Sequence, residues 1–193
     1  MYTIDHLPEG GKRLTARQHK TEWRLEDHGF VLCRFVRPLF QGPDGASSVF
    51  PSEWTMIVTN SLQIQSKGHN HFIDITKDVD GALKKSSLKN GSMTLFVPGS
   101  TAGLTTIEYE DGVLKDLDEL LEKLVPSSRP YHHDATWGDG NGFSHLRAAL
   151  IGPSLAIPFS DGRLMLGQWQ QIIFMDFDNR PRHREIVCQI SGE

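Results

Sequence analysis

From residue 56 onward the hydrophobic and polar positions of this chain resolve into a regular series of elements. Met56-Ile57-Val58-Thr59 and Leu62-Gln63-Ile64-Gln65 predict extended structure, closed by the turn signal Ser66-Lys67-Gly68-His69-Asn70. Phe72-Ile73-Asp74-Ile75 alternates as a strand does, and Thr76 stands where it would cap a helix with Val79, Leu83 and Leu88 on one face and Asn90-Gly91 at its end. Met93-Thr94-Leu95-Phe96-Val97 is the clearest strand; a loop of small residues, Pro98 to Gly103, leads into a further extended stretch, Leu104 to Tyr109. From Asp111, the leucines 114, 117, 120, 121 and 124 recur at helical spacing, with acids at the start and Lys123 near the end, and predict a helix whose stripe packs on the core. Leu146 to Ile151 predicts a third helix, ended by Gly152-Pro153. Leu155 to Pro158, Leu164 to Leu166, Gln171 to Met175 and Ile186 to Ile190 predict short strands, with turns at Ser160 to Arg163 and Asn179 to Arg182. Short strands with about three helices among them predict an α+β fold with a β-sandwich-like core.

Residues 1–55 lack this regularity. They carry the breakers Pro8-Glu9-Gly10-Gly11 and Gln41-Gly42-Pro43-Asp44-Gly45 and one isolated apolar run, Phe30 to Val36. The expectation is a poorly structured N-terminal extension over 1–55 and a domain over 56–193. The extension is read either as a flexible appendage or as sequence upstream of a misassigned start at Met56; the opposing reading makes Phe30 to Val36 an edge strand.

Composition narrows the partners. The 193 residues are 38% hydrophobic and 23% charged, as in ordinary soluble domains. A net charge of −4 argues against nucleic acid as partner. No apolar run approaches the roughly 20 residues that span a bilayer, and Asp5 and Glu9 stand where an export signal wants positive charge and then apolar residues. Cys33 and Cys188, far apart and in no metal-type spacing, read as reduced thiols of a cytoplasmic protein.

The candidate chemistry gathers in one stretch, Tyr131 to His145. It holds three of the nine histidines, two aspartates, an asparagine and three glycines, and it feeds the third helix. Imidazoles and carboxylates are ligands for a divalent metal such as zinc and acids and bases near neutral pH; the plain alternative is a polar surface loop. His133, His145 and His132 are the candidate metal ligands. Asp139 and Asn141 are candidates to orient a histidine or hold a substrate, against their reading as turn residues. Glu108, at the end of an extended segment, is a candidate general base. Ser100 and Thr101, in a loop flanked by glycine, can present hydroxyls and amides to a phosphate, with Arg163 as a further phosphate contact. Trp169, between Gln168 and Gln170, can stack on a heteroaromatic ring, with Gln170 beside it.

These motifs, in this order, resemble the YjbQ-like family, also described as the secondary thiamine-phosphate synthase enzyme family. The resemblance runs from about Met56 to Glu193. It rests on Phe72-Ile73-Asp74-Ile75-Thr76, on Phe96-Val97-Pro98-Gly99-Ser100-Thr101-Ala102 with Glu108, on Lys115-Asp116-Leu117 and on Tyr131 to His145. It continues through Gly152-Pro153-Ser154, Gly162-Arg163-Leu164 and Leu166-Gly167-Gln168-Trp169-Gln170. It implies a compact β-sandwich that assembles as a homotrimer, with a site near a subunit interface. It also implies a metal-assisted transfer, with zinc or magnesium, joining an aminopyrimidine diphosphate to a thiazole phosphate with release of pyrophosphate. Two positions depart from the pattern: Gly99 stands where the family's loop usually has histidine, and Ile107 where it has asparagine. The adjacent His132-His133 is then expected to take over part of the missing histidine's role. The leading expectation is a metal-assisted enzyme acting on a small phosphorylated metabolite. The alternatives are a non-catalytic trimer that binds a ligand or metal, and a metal-dependent hydrolase.

Overall fold

The computed structural model describes residues 54–193 throughout, together with the backbone of four strands that precede them: β1 Tyr2–His6, β2 Lys12–Ala16, β3 Thr21–Leu25 and β4 Val31–Phe35. The expected extension over 1–55 otherwise lies outside the described residues. β4 pairs antiparallel with β5 (Trp54–Ser66), Val31 opposite Ile57. The remaining elements are β6 His71–Asp74, α1 Thr76–Ser86, β7 Gly91–Phe96, β8 Ala102–Ile107, α2 Asp111–Leu124, α3 His132–Trp137, α4 Gly142–Ile151, β9 Ser154–Ser160, β10 Arg163–Leu164, β11 Gln171–Asp176 and β12 Arg182–Gly192.

Two antiparallel sheets stack. The larger has the order β1-β2-β3-β4-β5-β12-β7-β9-β10, and the smaller is β6-β11-β8. The larger sheet alternates: Met93 and Leu95, Ile157 and Phe159, and Ile186, Cys188 and Ile190 point inward and are buried, with more exposed neighbours between them. β11 breaks that rule because both of its faces are covered. Ile172 and Phe174 join the core against the larger sheet, and Ile173 and Met175 meet Leu121 of α2 and Ala148 of α4. The layers are therefore large sheet, small sheet and helices α2 and α4, and the sequence expectation of an α+β sandwich holds.

Three local details differ from the sequence reading. Thr76 does not cap α1 with its own side chain; its amide donates to Asp74 Oδ1 at 2.9 Å while its hydroxyl accepts from the Ile172 amide at 2.8 Å. The aspartate does the capping and the threonine ties the helix to β11. The leucine stripe of α2 is only partly core: Leu121 is buried, whereas Leu120 and Leu124 are 49% and 61% exposed. Leu117 and Leu121 meet Ile173 and Met175 of β11, and the rest of the stripe extends past that contact. The His-rich stretch is also largely helical, giving four helices among the described residues rather than three. α3 ends at Gly138 in the left-handed conformation, φ 70°, a C-terminal signal for a glycine. α4 begins at Gly142, packed so closely on Tyr131 that an added Cβ would lie 2.5 Å from the tyrosine Cβ. No helix among the described residues is long and apolar enough to cross a membrane.

Candidate active site

Arg147 fixes α4, the helix that carries His145. It is 1% exposed; its Nε and Nη2 donate to the Val125 carbonyl at 3.1 and 2.7 Å, and Nη2 also meets Glu122 Oε2 at 2.5 Å. The end of α2 is thus clamped to the middle of α4. Ser144 Oγ donates to the Phe177 carbonyl at 2.6 Å, which ties α4 to the connection between β11 and β12. Asp134 Oδ1 accepts from the Gly142 amide at 2.8 Å and so holds α3 to the start of α4. With both helices anchored, His133 of α3 and His145 of α4 face each other, ring centroids 4.4 Å apart and planes at 49°. Asp139 Oδ1 lies 3.4 Å from His133 Nε2.

The pair lines an open cleft of about 360 Å³, bounded also by Gly99, Ser100, Thr101, Trp137, Asp139, Asn141, Asp178, Arg182 and Arg184. A cleft of this size suits a small metabolite. One wall is a buried ionic network. Arg184 donates from Nε to Asp176 Oδ2 at 2.8 Å and from Nη2 to Asp176 Oδ1 at 2.7 Å and Thr101 Oγ1 at 2.8 Å. Arg182 Nε donates to Asp178 Oδ2 at 2.8 Å, and Thr101 Oγ1 donates to the same oxygen at 3.1 Å. Burial pushes the Asp178 carboxyl up, but the hydrogen bond and charge of Arg182, the Thr101 hydroxyl and the Arg184 charge outweigh it and hold it below the ordinary carboxylate range. Three buried atoms of the cleft lack hydrogen-bond partners among the described residues: His133 Nε2, Asn141 Oδ1 and Asp178 Oδ1. Unsatisfied polar atoms gathered at one place mark a site whose partner comes from outside the chain.

Of the residues singled out from the sequence, His133, His145, Asp139, Asn141, Ser100 and Thr101 meet in the cleft. His132 does not: it is exposed, because adjacent helical residues point about 100° apart, so the His132-His133 pair cannot replace the absent histidine by acting together. Glu108, Arg163, Trp169 and Gln170 also lie outside the cleft. β8 runs from Ala102 at the cleft to Ile107, opposite Gln171 of β11, which sets Glu108 roughly 20 Å along the strand from Thr101. Gln170 Nε2 donates to Thr106 Oγ1 at 2.9 Å at that far end, Trp169 is 64% exposed, and Arg163 sits in the exposed β9–β10 hairpin.

Asp178, Arg182, Arg184 and Trp137 are the cleft residues that sequence reasoning missed. For the arginines a signal existed. Arg182 and Arg184 share strand parity with Ile186, Cys188 and Ile190, so both point to the core face, where a charge needs a partner.

The metal expectation meets a chemical test here. Among the described residues no three His, Cys, Asp or Glu side chains converge closely enough to hold an ion. Two imidazoles fall one short of the three protein ligands usual for catalytic zinc, so the donor set does not fit a resident metal.

A family model described as UPF0047 protein YjbQ-like matches residues 60–193. The chain belongs to that family. A UPF0047 protein of Methanothermobacter thermautotrophicus is 36% identical over 137 residues, covering 71% of this chain and 94% of the relative. The UPF0047 protein YugU of Bacillus subtilis is 32% identical over 133 residues, covering 68% and 98%. Among solved structures, a hypothetical protein of Aeropyrum pernix K1 superposes with a TM-score of 0.66 at 31% identity, covering 70% of this chain and 99% of its own. A YbjQ-like protein of unknown function from Sulfolobus solfataricus P2 gives 0.65 at 29%, covering 71% and 99%. The matched range of this UPF0047 member takes in every residue of the cleft.

Proposed function

We infer that the cleft binds a small phosphorylated metabolite and that the His133–His145 pair transfers a proton on it. The observation that carries this reading is the meeting of two imidazoles, 4.4 Å apart, with a hydroxyl-bearing loop and two arginines in one open cleft. Imidazoles are the side chains best suited to give and take protons near neutral pH. The Asp139 carboxylate stands 3.4 Å from His133 Nε2, an atom with no hydrogen-bond partner among the described residues, so both border the place where a ligand would meet that ring. Trp137, 73% exposed at the rim, offers a flat face for a ring.

The transfer implied by the family resemblance fits this arrangement. The thiazole nitrogen attacks the methylene carbon of the aminopyrimidine, the C–O bond to the diphosphate breaks, and pyrophosphate leaves with the electron pair. A histidine N–H beside the leaving oxygen can donate to it. A divalent cation, where one takes part, enters with the diphosphate. The test is release of pyrophosphate by the purified full-length chain from the two substrates, with His133→Ala and His145→Ala alongside. Turnover by the wild type that both variants lose by at least about a hundredfold supports the reading. Turnover that either variant retains in full overturns the role of the pair.

The same reading includes a homotrimer. It is supported by the leucines left open on two helices, Leu120 and Leu124 of α2 and Leu146 and Leu150 of α4, each at least 45% exposed. Closed cyclic assemblies bury such faces. Sedimentation at micromolar concentration checks it, and a monomer there rules it out.

A further inference from the structure

We propose that the phosphoryl group of the ligand sits on Arg184 Nη1, which the missing side chain at position 99 lays bare. This rests on the reading of the cleft as a phosphorylated-metabolite site and names where in it the phosphate lies.

Arg184 is 13% exposed, and its Nε and Nη2 are committed to Asp176, Thr101 and Asp178. Nη1 makes no hydrogen bond among the described residues. It is also the nearest atom to where a Cβ on Gly99 would stand, at 3.4 Å, with only Val97 Cγ1 besides, at 3.9 Å. Both residues line the cleft. The glycine is therefore a window onto a fixed guanidinium, and a side chain reaching beyond Cβ at 99 would curtain it. The two arginines are matched by Asp176 and Asp178, so the seat has little surplus positive charge. It attracts an anion by directed, charge-assisted N–H donation, from a donor pre-aimed by its other bonds. Arg182, with its side chain 32% exposed, and the Ser100 hydroxyl stand round the same opening. That donor set fits the tetrahedral oxygens of a phosphate monoester or a terminal diphosphate. Position 99 is then a specificity-determining residue: a chain with a bulky residue there loses this seat.

The experiment uses inorganic phosphate and pyrophosphate as probes on the full-length chain, followed by calorimetry and by the ring signals of His133 and His145 in NMR. Gly99→Ala adds one methyl at ordinary contact distance, in a backbone conformation open to any residue, and should bind both probes within threefold of wild type. Gly99→Asp brings a carboxylate to Arg184 Nη1, occupies the seat from within, and should weaken both probes at least tenfold while melting no lower than wild type. Pyrophosphate that binds Gly99→Asp as it binds the wild type, with the same shifts at His133 and His145, overturns the seat but leaves the cleft reading standing. Failure of the wild type to bind either probe at millimolar concentration overturns both.

Discussion

At the cleft, single residues do two kinds of work, and substitution separates them. His133 and His145 are not core residues, so alanine at either should cost activity with little loss of fold: a fall in turnover of about a hundredfold or more with a melting point within about 3 °C of wild type. Asp178 is the opposite case, 1% exposed and bonded to Arg182 and Thr101. Asp178→Asn removes the charge facing two arginines and should cost about 2–4 kcal/mol, read by chemical denaturation. The same carboxylate gives the acid limb of stability its sign. Its pKa is lowered by folding, so its contribution is complete above the ordinary carboxylate pKa and fades as pH falls through the lower folded value. Melting points between pH 5 and 2 should fall more steeply for wild type than for Asp178→Asn. Cys188 marks the alkaline limb: burial pushes its thiol up to about 11. Stability should be level up to the unfolded thiol's pKa and then decline toward pH 11, by about 2 kcal/mol, and Cys188→Ala should remove most of that decline. The histidines and the loop hydroxyls could be picked out in advance because their side-chain types announce chemistry. Arg182 falls in a turn signal and Arg184 between that turn and the strand at Ile186, and only their strand parity, inward with Ile186 and Cys188, betrays them.

Elements decide which of those residues meet. The periodicities of β7, β11 and α2 identify them from the chain alone, since each repeats over several residues. α3, at six residues His132–Trp137, is too short to show a period, and what makes it a helix is tertiary: Asp134 bonded to the Gly142 amide and Gly138 turning the chain out. The outward half of the α2 stripe shows the converse, for spacing reports a helical face but not how much of it is covered. The junction of α2 with α4 hangs on Arg147. Arg147→Met fills its volume but leaves the Val125 carbonyl unpaired, and should cost about 2–3 kcal/mol. Glu122→Gln, which neutralises a carboxylate that is itself 46% exposed, should cost under about 1 kcal/mol. Equal losses from the two would mean that the ion pair, not the bonds to the carbonyl, holds the junction. Because His145 lies two residues before Arg147, the methionine variant should also weaken any probe of the cleft.

For the whole molecule, the sandwich was predicted from alternation, but the position of the cleft was not. Which strand ends adjoin depends on register, and register is set by pairing between strands far apart in sequence, such as Arg182 opposite Ser66 and Asp176 opposite Ala102. The matched range from 60 to 193 contains the core and the cleft, so a chain beginning at Trp54 should fold, with a melting point within about 5 °C of full length. A larger drop would show that the ladder from β4 onto β5 supports the domain.

The segment between β11 and β12 carries the chain from the small sheet to the large one, and the cleft opens beside it. Two backbone bonds fasten that crossing: the Phe177 amide to the Thr101 carbonyl at 3.0 Å and the His69 amide to the Asp178 carbonyl at 2.7 Å. Fraying of that crossing breaks both, since each bond has one partner in it, and it also parts Asp178 from the Thr101 hydroxyl. Occupancy of the site and closure of this seam are then one motion. A ligand at a hundred times its dissociation constant should slow solvent exchange of the Phe177 and His69 amides by up to about a hundredfold, while the β8–β11 amides near Ile107 and Gln171 keep their free rates.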